Sequence, residues 1–221
     1  MPLYIISTPI GNLKDITFRA IETLHNSDII LAEDTRRTSI LLNHYTIKGK
    51  QMTSFNDNNK AYKSPQIIQE LLNGKNISIV SDSGTPGISD PGFYLVREAV
   101  KNNIKTIPIP GPTASITALI SSGFPTDSFI FYGFISKKEK AKADLLNEIN
   151  RSKKTAIIYE SPYRLIKTLK LISEIMPEKK LCIARELTKK FEEFIRGTSK
   201  ELYAQLKDKA IKGEITIIIN K

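Results

Sequence analysis

The stretch ISIVSDSGTPGISDPG, residues 77–92, joins a short apolar run to a long series of turn-forming residues. Residues 77–80 have the composition of a strand that is buried on both faces of a sheet. The twelve residues 81–92 consist almost wholly of Gly, Pro, Ser, Thr and Asp, and they are far more than a chain reversal requires. We therefore predict a buried strand followed by a ligand-binding loop, with a long surface connection as the alternative.

Seven further short runs of apolar or β-branched residues predict strands along the rest of the chain. Most of them are separated by segments with helical spacing, in which one apolar stripe faces a sheet. This alternation predicts the α/β class, with two αβα domains, largely parallel sheets and helices on both faces. Loops at the carboxyl ends of such strands usually carry the site. The seven runs are residues 3–7, 29–32, 106–109, 129–132, 155–159, 181–184 and 214–219.

Three residues mark predicted helix starts. Asp34, Asp90 and Ser161 each precede a helical pattern, and each offers a side-chain oxygen for the first free backbone N–H groups. The helix after Ser161 is predicted to end before Pro177.

The segment PIPGP, residues 108–112, predicts the domain boundary. Its three prolines end a strand and prevent a helix before Thr113. We predict one domain over residues 1–112 and a second over residues 113–221, each large enough to bury its own core. A cleft between two such domains is the expected ligand site.

Charge and cysteine content limit the class of protein. The chain of 221 residues has a formal net charge of +10, and residues 113–221 hold 21 Lys and Arg against 13 Asp and Glu. A cationic half favours an anionic partner such as nucleic acid, although a lysine-rich soluble surface gives the same count. The single cysteine, Cys182, lies in an apolar run, which excludes a disulfide framework and favours a buried thiol in a reducing, cytoplasmic setting. No apolar run approaches the ~20 residues of a membrane span, so no membrane partner is expected.

Several common site motifs are absent. The glycines form neither the G-x-G-x-x-G dinucleotide motif nor a P-loop. Gly84-Thr85 is reminiscent of aspartyl-phosphate phosphatases, but Ser81 and Ser83 stand where that class needs Asp. The two histidines, His25 and His44, lie in predicted helices without cysteine partners, so neither a transition-metal site nor a Ser-His-Asp triad is expected.

Three charged clusters follow predicted strands, where side chains project toward the expected site. They are residues 33–37, 160–164 and 185–189, and each mixes acidic with basic side chains. One interpretation is helix capping and surface ion pairing. The other is a clamp for an anionic substrate, in which Arg36 or Arg37 holds phosphates.

Five stretches of the sequence resemble one known family nearly end to end. They are TPIGNL (8–13), AEDTR (32–36), VSDSGTPGISDPG (80–92), YESPYR (159–164) and ARELTK (184–189). Together they are similar to the ribosomal RNA small subunit methyltransferase I family of the tetrapyrrole methylase superfamily. The resemblance implies two α/β domains that hold S-adenosylmethionine in the cleft between them. It also implies methylation of the ribose 2′-hydroxyl of a decoding-region cytidine in 16S ribosomal RNA, with the RNA or the assembled 30S subunit as partner, and a homodimer.

The same resemblance implies roles for individual residues. From the chemistry of methyl transfer we hypothesise that Glu33 or Glu186 polarises the hydroxyl directly or through water, while Arg36 and Arg185 fix adjacent phosphates; no metal is expected. Substrate binding is implied for Asp34, Arg37, Glu160, Arg164, Arg185 and Lys189, with Glu33, Arg36 and Glu186 as the catalytic candidates. Cofactor binding is implied for Pro9, Gly11, Asp82, Ser83, Gly84, Thr85, Gly87, Ile88, Ser115 and Tyr159.

Two departures from the family pattern and two rival functions remain. Residues 54–59 carry Asn where relatives typically show His. The C-terminal helical extension of relatives does not follow residues 213–219, so phosphate contacts are expected from the cationic residues 113–221. One rival is methylation of a tetrapyrrole carbon, against which the three charged clusters argue. The other is a non-enzymatic RNA-binding or assembly protein, which the intact loop at residues 81–92 disfavours.

Overall fold

The computed structural model describes residues 1–89 and 92–221, so the predicted helix cap at Asp90 lies outside the described residues. The chain forms two compact units, Met1–Thr113 and Ala114–Lys221. No helix among the described residues is long and apolar enough to cross a membrane.

The first unit is built on a five-stranded parallel sheet in the order β3-β2-β4-β1-β5. Its strands are β1 (Leu3–Ile6), β2 (Ile29–Ala32), β3 (Gln51–Ser54), β4 (Ile77–Val80) and β5 (Thr106–Ile109). Its helices are α1 (Phe18–Asn26), α2 (Thr35–His44), α3 (Lys60–Leu72) and α4 (Gly92–Lys101), and a 3₁₀ turn spans Leu13–Asp15.

Helices cover both faces of this sheet. Leu31 and Ile79 belong to a core cluster with residues of α3 and α4, whereas Ile30 and Val80 belong to one with residues of α1 and α2. Because successive strand side chains point to opposite faces, β2 and β4 are buried at every position. The buried strand predicted at residues 77–80 is confirmed.

The second unit has a mixed five-stranded sheet in the order β6-β7-β10-β8-β9. Its strands are β6 (Phe129–Phe134), β7 (Thr155–Glu160), β8 (Lys180–Arg185), β9 (Glu193–Thr198) and β10 (Ile215–Ile219). Its helices are α5 (Ala114–Ser122), α6 (Glu139–Arg151), α7 (Pro162–Ile175) and α8 (Ser199–Leu206). Apolar residues of α6, α7 and α8 pack with the sheet in one core cluster.

The prediction of largely parallel sheets is right for the first unit and wrong for the second. Only β6 and β7 pair in parallel; β10 runs antiparallel to both β7 and β8, and β9 runs antiparallel to β8. The short connection at residues 186–192 forces β8 and β9 into a hairpin. β10 then returns from α8 and inserts between two strands that run the opposite way.

β3 and β9 were not predicted, and both lie at the edge of a sheet. Neither strand contains a fully buried residue. The other two edge strands, β5 and β6, each bury at least one residue and have recognisable apolar runs, whereas β3 and β9 bury none and lack such a run.

Two of the predicted helix starts are described, and only one is capped as expected. The Asp34 carboxylate accepts a hydrogen bond from the backbone N–H of Arg36 at the start of α2. Ser161 precedes α7, but its hydroxyl makes no capping bond. Instead its backbone N–H donates to the Glu160 carboxylate at 2.7 Å. α7 ends at Ile175, before Pro177, as predicted.

Candidate active site

The loop at residues 81–89 is hydrogen-bonded to the loops that follow β1 and β5, at the carboxyl ends of the strands of the first unit. Thr8 and Gly84 form an isolated antiparallel bridge, with N–H to O distances of 2.9 and 3.1 Å. The hydroxyl oxygens of Ser7 and Thr85 lie 2.9 Å apart, and the Thr85 hydroxyl donates to the carbonyl of Pro112 at 3.3 Å. The loops after β1, β4 and β5 therefore form one connected surface.

Two glycines allow this close approach. Gly84 has a φ of +86°, which is strained for any residue with a Cβ, and a Cβ there would lie 3.4 Å from a methyl carbon of Ile10. A Cβ on Gly111 would lie 2.8 Å from Cβ of Ser7. The side chains of Ile10 and Ser7 thus pack directly against the glycine backbones of the neighbouring loops.

The other cofactor candidates of the first unit lie in the first two of these loops. Ser83, Thr85 and Gly87 are half-buried within the loop after β4. Pro9 is fully buried, whereas Gly11 and Ile88 are exposed to solvent.

Asp15, which sequence reasoning did not select, provides a free acceptor in the first loop. It ends the 3₁₀ turn that follows this loop, and its Oδ2 atom is buried without a hydrogen-bond partner among the described residues. A buried carboxylate oxygen without a partner is costly, so this atom is expected to accept a hydrogen bond from an ordered water or from a bound ligand. Amino and hydroxyl groups of the kind that S-adenosylmethionine carries fit this acceptor.

At the end of β2, Asp34 and Arg36 form an ion pair. The Arg36 guanidinium donates to the Asp34 carboxylate at 2.6 and 3.0 Å, and these hydrogen bonds lower the pKa of Asp34 to about 2. The Arg36 side chain is 89% exposed, but its charge is offset by Asp34. Arg36 would therefore need to leave Asp34 before it could hold a phosphate with both arms of its guanidinium.

Asp82 links the loop after β4 to this cluster. Its carboxylate accepts the backbone N–H of Asp34 at 3.0 Å and lies 3.6 Å from Nε of Arg37. The predicted cofactor residue Asp82 and the predicted substrate residues Asp34 and Arg37 are thus in direct contact.

Glu33 is half-buried at the end of β2, and its pKa is shifted in the opposite direction to that of Asp34. Its pKa is raised above the ordinary value, first because burial removes the carboxylate from water and second because the negative charge of Asp82 lies nearby. A hydrogen bond from the Asp82 backbone and the charge of Arg37 oppose this shift. A carboxylate with a raised pKa is a stronger base than an exposed one.

A cavity of about 120 Å³ lies beside this cluster. Its lining includes the apolar side chains of Leu13 and Ile40 and the charged side chains of Arg37 and Asp82. Its mixed apolar and charged lining resembles that of a small-ligand site, although its volume is below the ~300–1,000 Å³ usual for such sites.

In the second unit, the residues of the predicted charged clusters lie at the end of the sheet where β7 and β8 terminate. Strand register aligns Glu160 with Ile215, Ile215 with Arg185, and Arg185 with Glu193. This end of the sheet contains the carboxyl ends of β7 and β8, as predicted for the charged clusters.

Tyr159 and Ser115, the two cofactor candidates of the second unit, are in contact. The backbone N–H of Ser115 donates to the Tyr159 hydroxyl oxygen at 3.2 Å. The Tyr159 ring packs edge-on against Phe131 and Phe134, with centroid distances of 4.9 and 5.4 Å. This packing fixes an aromatic ring next to the start of α5.

Glu160 is buried beneath Arg164. The Glu160 side chain has no exposed surface, and its carboxylate lies 2.6 Å from a terminal guanidinium nitrogen of Arg164. The Arg164 side chain is 22% exposed. Of these two substrate candidates, Arg164 alone presents surface to a ligand.

Glu186 has the opposite surroundings to Glu33. Its carboxylate accepts the backbone N–H of Glu214 at 2.9 Å and the amine of Lys189 at 3.0 Å. The hydrogen bond from Glu214 is the main reason that the pKa of Glu186 is lowered, and Lys189 acts in the same direction. A Cβ on Gly213 would lie 2.5 Å from Cδ of Glu186, so this carboxylate packs over bare backbone.

Arg185 and Lys189 are both engaged with neighbours. Arg185 donates to the Glu193 carboxylate at 2.9 and 3.0 Å and to the Lys212 carbonyl at 3.2 Å. Lys189 also bonds to the Glu214 carboxylate at 3.1 Å. These contacts hold the β8–β9 connection against residues 212–214.

Comparison with known proteins identifies the family. A family model described as Tetrapyrrole (Corrin/Porphyrin) Methylases matches residues 2–203. The chain is 48% identical over 217 residues to ribosomal RNA small subunit methyltransferase I of Halalkalibacterium halodurans, covering 98% of this chain and 75% of that protein. This chain belongs to the ribosomal RNA small subunit methyltransferase I family of tetrapyrrole methylases.

Further similarities agree with this family and confirm the resemblance seen in the sequence. The protein of the same name from Synechocystis is 47% identical over 218 residues, covering 98% of this chain and 78% of that protein. The crystal structure of diphthine synthase is 13% identical and shares the fold, with a TM-score of 0.74 over 100% of this chain and 90% of that one.

Within this family member, sequence reasoning missed residues that contact the predicted ones or lie beside them. None of these residues belongs to a charged cluster after a strand. They are Asp15 in the 3₁₀ turn, Lys142 in α6, Thr168 in α7 and Gly213 in the loop before β10. A side chain on Gly213 would clash with Glu186, and Lys142 makes a buried contact with Thr168. Both features join segments that are distant in the sequence, so they are visible only in the fold. No group of three or more His, Cys, Asp and Glu side chains in the described part of the chain is arranged to hold a metal ion.

Proposed function

We propose that this protein is an S-adenosylmethionine-dependent methyltransferase that modifies the ribose 2′-hydroxyl of a cytidine in the decoding region of small-subunit ribosomal RNA. The observation that carries the proposal is the similarity, over nearly the whole chain, to relatives named ribosomal RNA small subunit methyltransferase I. The basic side chains around Glu33 and at the carboxyl edge of the second sheet support an anionic substrate.

Cofactor binding is assigned to the connected loops of the first unit and to Ser115 and Tyr159 of the second. When bound, S-adenosylmethionine supplies a methyl group that its sulfonium charge already activates. The glycine backbone at Gly84 allows close approach of a ligand, and the free oxygen of Asp15 is a suitable acceptor for its polar groups.

Glu33 is the residue that we assign to proton removal. A 2′-hydroxyl must lose its proton as its oxygen becomes methylated, and a nearby carboxylate of raised pKa assists that loss directly or through water. Glu186 was an equal candidate in the sequence, but its carboxylate is already bonded to Glu214 and Lys189. We therefore assign Glu186 to holding the β8–β9 connection.

Phosphate binding is assigned to Arg37, Arg164, Arg185 and Lys189, with Arg36 joining when an RNA phosphate competes with Asp34. Arginine suits this role because its planar guanidinium forms paired hydrogen bonds to phosphate oxygens. We further propose that the substrate is the assembled 30S subunit, encountered in the cytoplasm by a homodimer of this chain.

The test is transfer of labelled methyl from S-adenosylmethionine to small ribosomal subunits from a strain that lacks the modification. Nuclease digestion of the RNA should place the label on the ribose of one decoding-region cytidine. Label on naked RNA alone would change the proposed substrate form. Label on a tetrapyrrole would replace the function, and failure to bind the cofactor would favour a non-enzymatic RNA-binding protein.

A further inference from the structure

A chain of buried polar contacts lies behind Arg164. The Glu160 carboxylate accepts hydrogen bonds from the hydroxyl of Thr168 at 2.6 Å and from the backbone of Ser161 at 2.7 Å, and it pairs with Arg164. The Thr168 hydroxyl in turn accepts from the amine of Lys142 at 3.1 Å. The order of groups is therefore Lys142, Thr168, Glu160, Arg164.

Lys142 is unusual because it is a buried lysine in a lysine-rich segment. Residues 137–142 have the sequence KKEKAK, and the neighbouring Lys140 on α6 is exposed, whereas Lys142 is only 7% exposed. Burial of a lysine amine is costly unless a charge or hydrogen bond offsets the loss of water. In this protein the offset comes from Thr168 and from the Glu160 charge beyond it.

The formal charges of this chain do not cancel. One carboxylate, that of Glu160, lies between the cations of Lys142 and Arg164. Two cations and one anion leave a net positive charge, and the member with exposed surface is Arg164. Without Lys142, the Glu160 and Arg164 pair would be neutral.

Arg164 is also fixed in orientation. Its guanidinium donates to the Ile135 carbonyl at 3.3 Å in addition to pairing with Glu160. A guanidinium has five N–H donors, so donors remain for a ligand. A pre-oriented arginine loses less side-chain freedom on binding a phosphate than a free one.

We propose that Lys142 and Thr168 are positioning residues for RNA binding: by offsetting the charge of Glu160 they leave Arg164 fixed in place with a positive charge available to an RNA phosphate. This proposal rests on the proposed function for the identity of the anion. A purely structural role for the same contacts would affect unfolding but not the salt dependence of RNA binding.

The principal test compares Lys142→Met with Lys140→Met. Both variants remove one positive charge from the same helix and keep side-chain length, but only Lys142 contacts Thr168. The probe is transcribed small-subunit ribosomal RNA, and its dissociation constant is measured over a range of salt concentrations. Methylation of small ribosomal subunits then gives KM and kcat separately.

We expect Lys142→Met to weaken RNA binding roughly fivefold, the upper range for loss of one exposed ion pair. The slope of log affinity against log salt should fall by about 0.7–0.9, the value for one phosphate contact. KM should rise with kcat nearly unchanged, and S-adenosylmethionine affinity should not change. Lys140→Met should leave all of these close to wild type, and Lys142→Met should add nothing to Arg164→Met.

Equal effects of Lys142→Met and Lys140→Met would overturn the proposal, as would loss of unfolding stability in Lys142→Met with an unchanged salt slope. If Lys142→Met does not fold, Thr168→Val and Thr168→Ser replace it. The valine should reduce the salt slope and the serine, which keeps the hydroxyl, should restore it; identical slopes would reject the proposal. A wild-type protein that binds RNA without methylating subunits would contradict the proposed function while this binding comparison still stood.

Discussion

Glu33 and Glu186 occupy similar positions in the sequence, but their surroundings shift their pKa values in opposite directions. Each directly follows a strand and belongs to a cluster of mixed charge. Burial and the charge of Asp82 raise the pKa of Glu33, whereas the Glu214 backbone and Lys189 lower that of Glu186. The position after a strand thus selects candidates, and the surrounding donors and charges decide which carboxylate is available to accept a proton.

Replacement of Glu33 should have the largest effect. We expect Glu33→Gln to reduce the methylation rate about 100-fold or more, the usual range for loss of a general base. S-adenosylmethionine affinity should be nearly unchanged, since glutamine keeps the size of the side chain. The measurement is single-turnover methylation of small subunits.

The matched variant is Glu186→Gln, which should keep the rate within roughly threefold of wild type, because that carboxylate is already bonded within its loop. A large loss in Glu186→Gln with a small one in Glu33→Gln would reverse the assignment of the two residues.

Gly213→Ala tests the structural role of Glu186. A Cβ at this position meets the Glu186 side chain and also strains a backbone with φ of +95°. We expect the free energy of unfolding to fall by about 2 kcal/mol, since both strain and the displaced ion pair contribute. Urea denaturation followed by circular dichroism measures this change.

Gly123→Ala in the same unit is the control, because Gly123 has a φ of +81° and open space around its Cβ position. It should cost about 1 kcal/mol from backbone strain alone. Equal losses in the two variants would mean that the contact with Glu186 contributes nothing.

The stability of the two glutamate variants should depend on pH in opposite directions. A raised pKa in the folded protein means that Glu33 contributes stability below its ordinary pKa, which is lost as pH rises through the folded value. A lowered pKa means that Glu186 contributes stability above its ordinary pKa, which is lost as pH falls through the folded value.

At pH 7, Glu33→Gln should therefore be more stable than wild type and Glu186→Gln less stable, each by about 1 kcal/mol, a usual size for one substitution. The difference for Glu33→Gln should shrink as the pH falls from the raised folded pKa to the ordinary glutamate pKa, and that for Glu186→Gln as the pH falls from the ordinary pKa through the lowered folded one. Thermal unfolding at a series of pH values measures them. The same sign for both variants at pH 7 would contradict the electrostatic difference.

The sequence was sufficient for the central strands, for the irregular loops that follow them and for the family, for identifiable physical reasons. Strands such as β2 and β4 are buried on both faces, so their apolar runs are continuous and visible. The loop at residues 81–92 is visible because close approach of backbones requires Gly, Pro and small side chains. These features depend on local sequence.

Features that depend on distant contacts were not predictable. The direction of β10 follows from its insertion between β7 and β8, which no local pattern specifies. Glu160 was among the substrate candidates that the family resemblance implies, yet its carboxylate is bonded by Ser161 at the start of α7 and by Arg164 and Thr168 within that helix. The fold is therefore needed to distinguish the charged residues at strand ends that can contact a ligand from those that only support their neighbours.

Removal of Arg37 should give the smallest effect, a shift in the pH dependence of the rate. If Glu33 accepts the proton, the rate rises with pH as Glu33 becomes ionised. The charge of Arg37 is the last of the influences on Glu33, and it lowers the pKa of that carboxylate. Arg37→Gln also removes the cation that lies 3.6 Å from Asp82, so the field at Glu33 becomes more negative.

The acidic limb of the rate profile should therefore move to higher pH in Arg37→Gln. Arg36→Gln is the control: Arg36 pairs with Asp34 and is not among the groups that shift Glu33, so its limb should stay with wild type. Single-turnover rates over the acidic range measure both. An equal shift of the acidic limb in the two variants would mean that the ionising group responds to the net charge of the protein and not to Asp82 and Arg37. Glu33 would then no longer be assigned as the base.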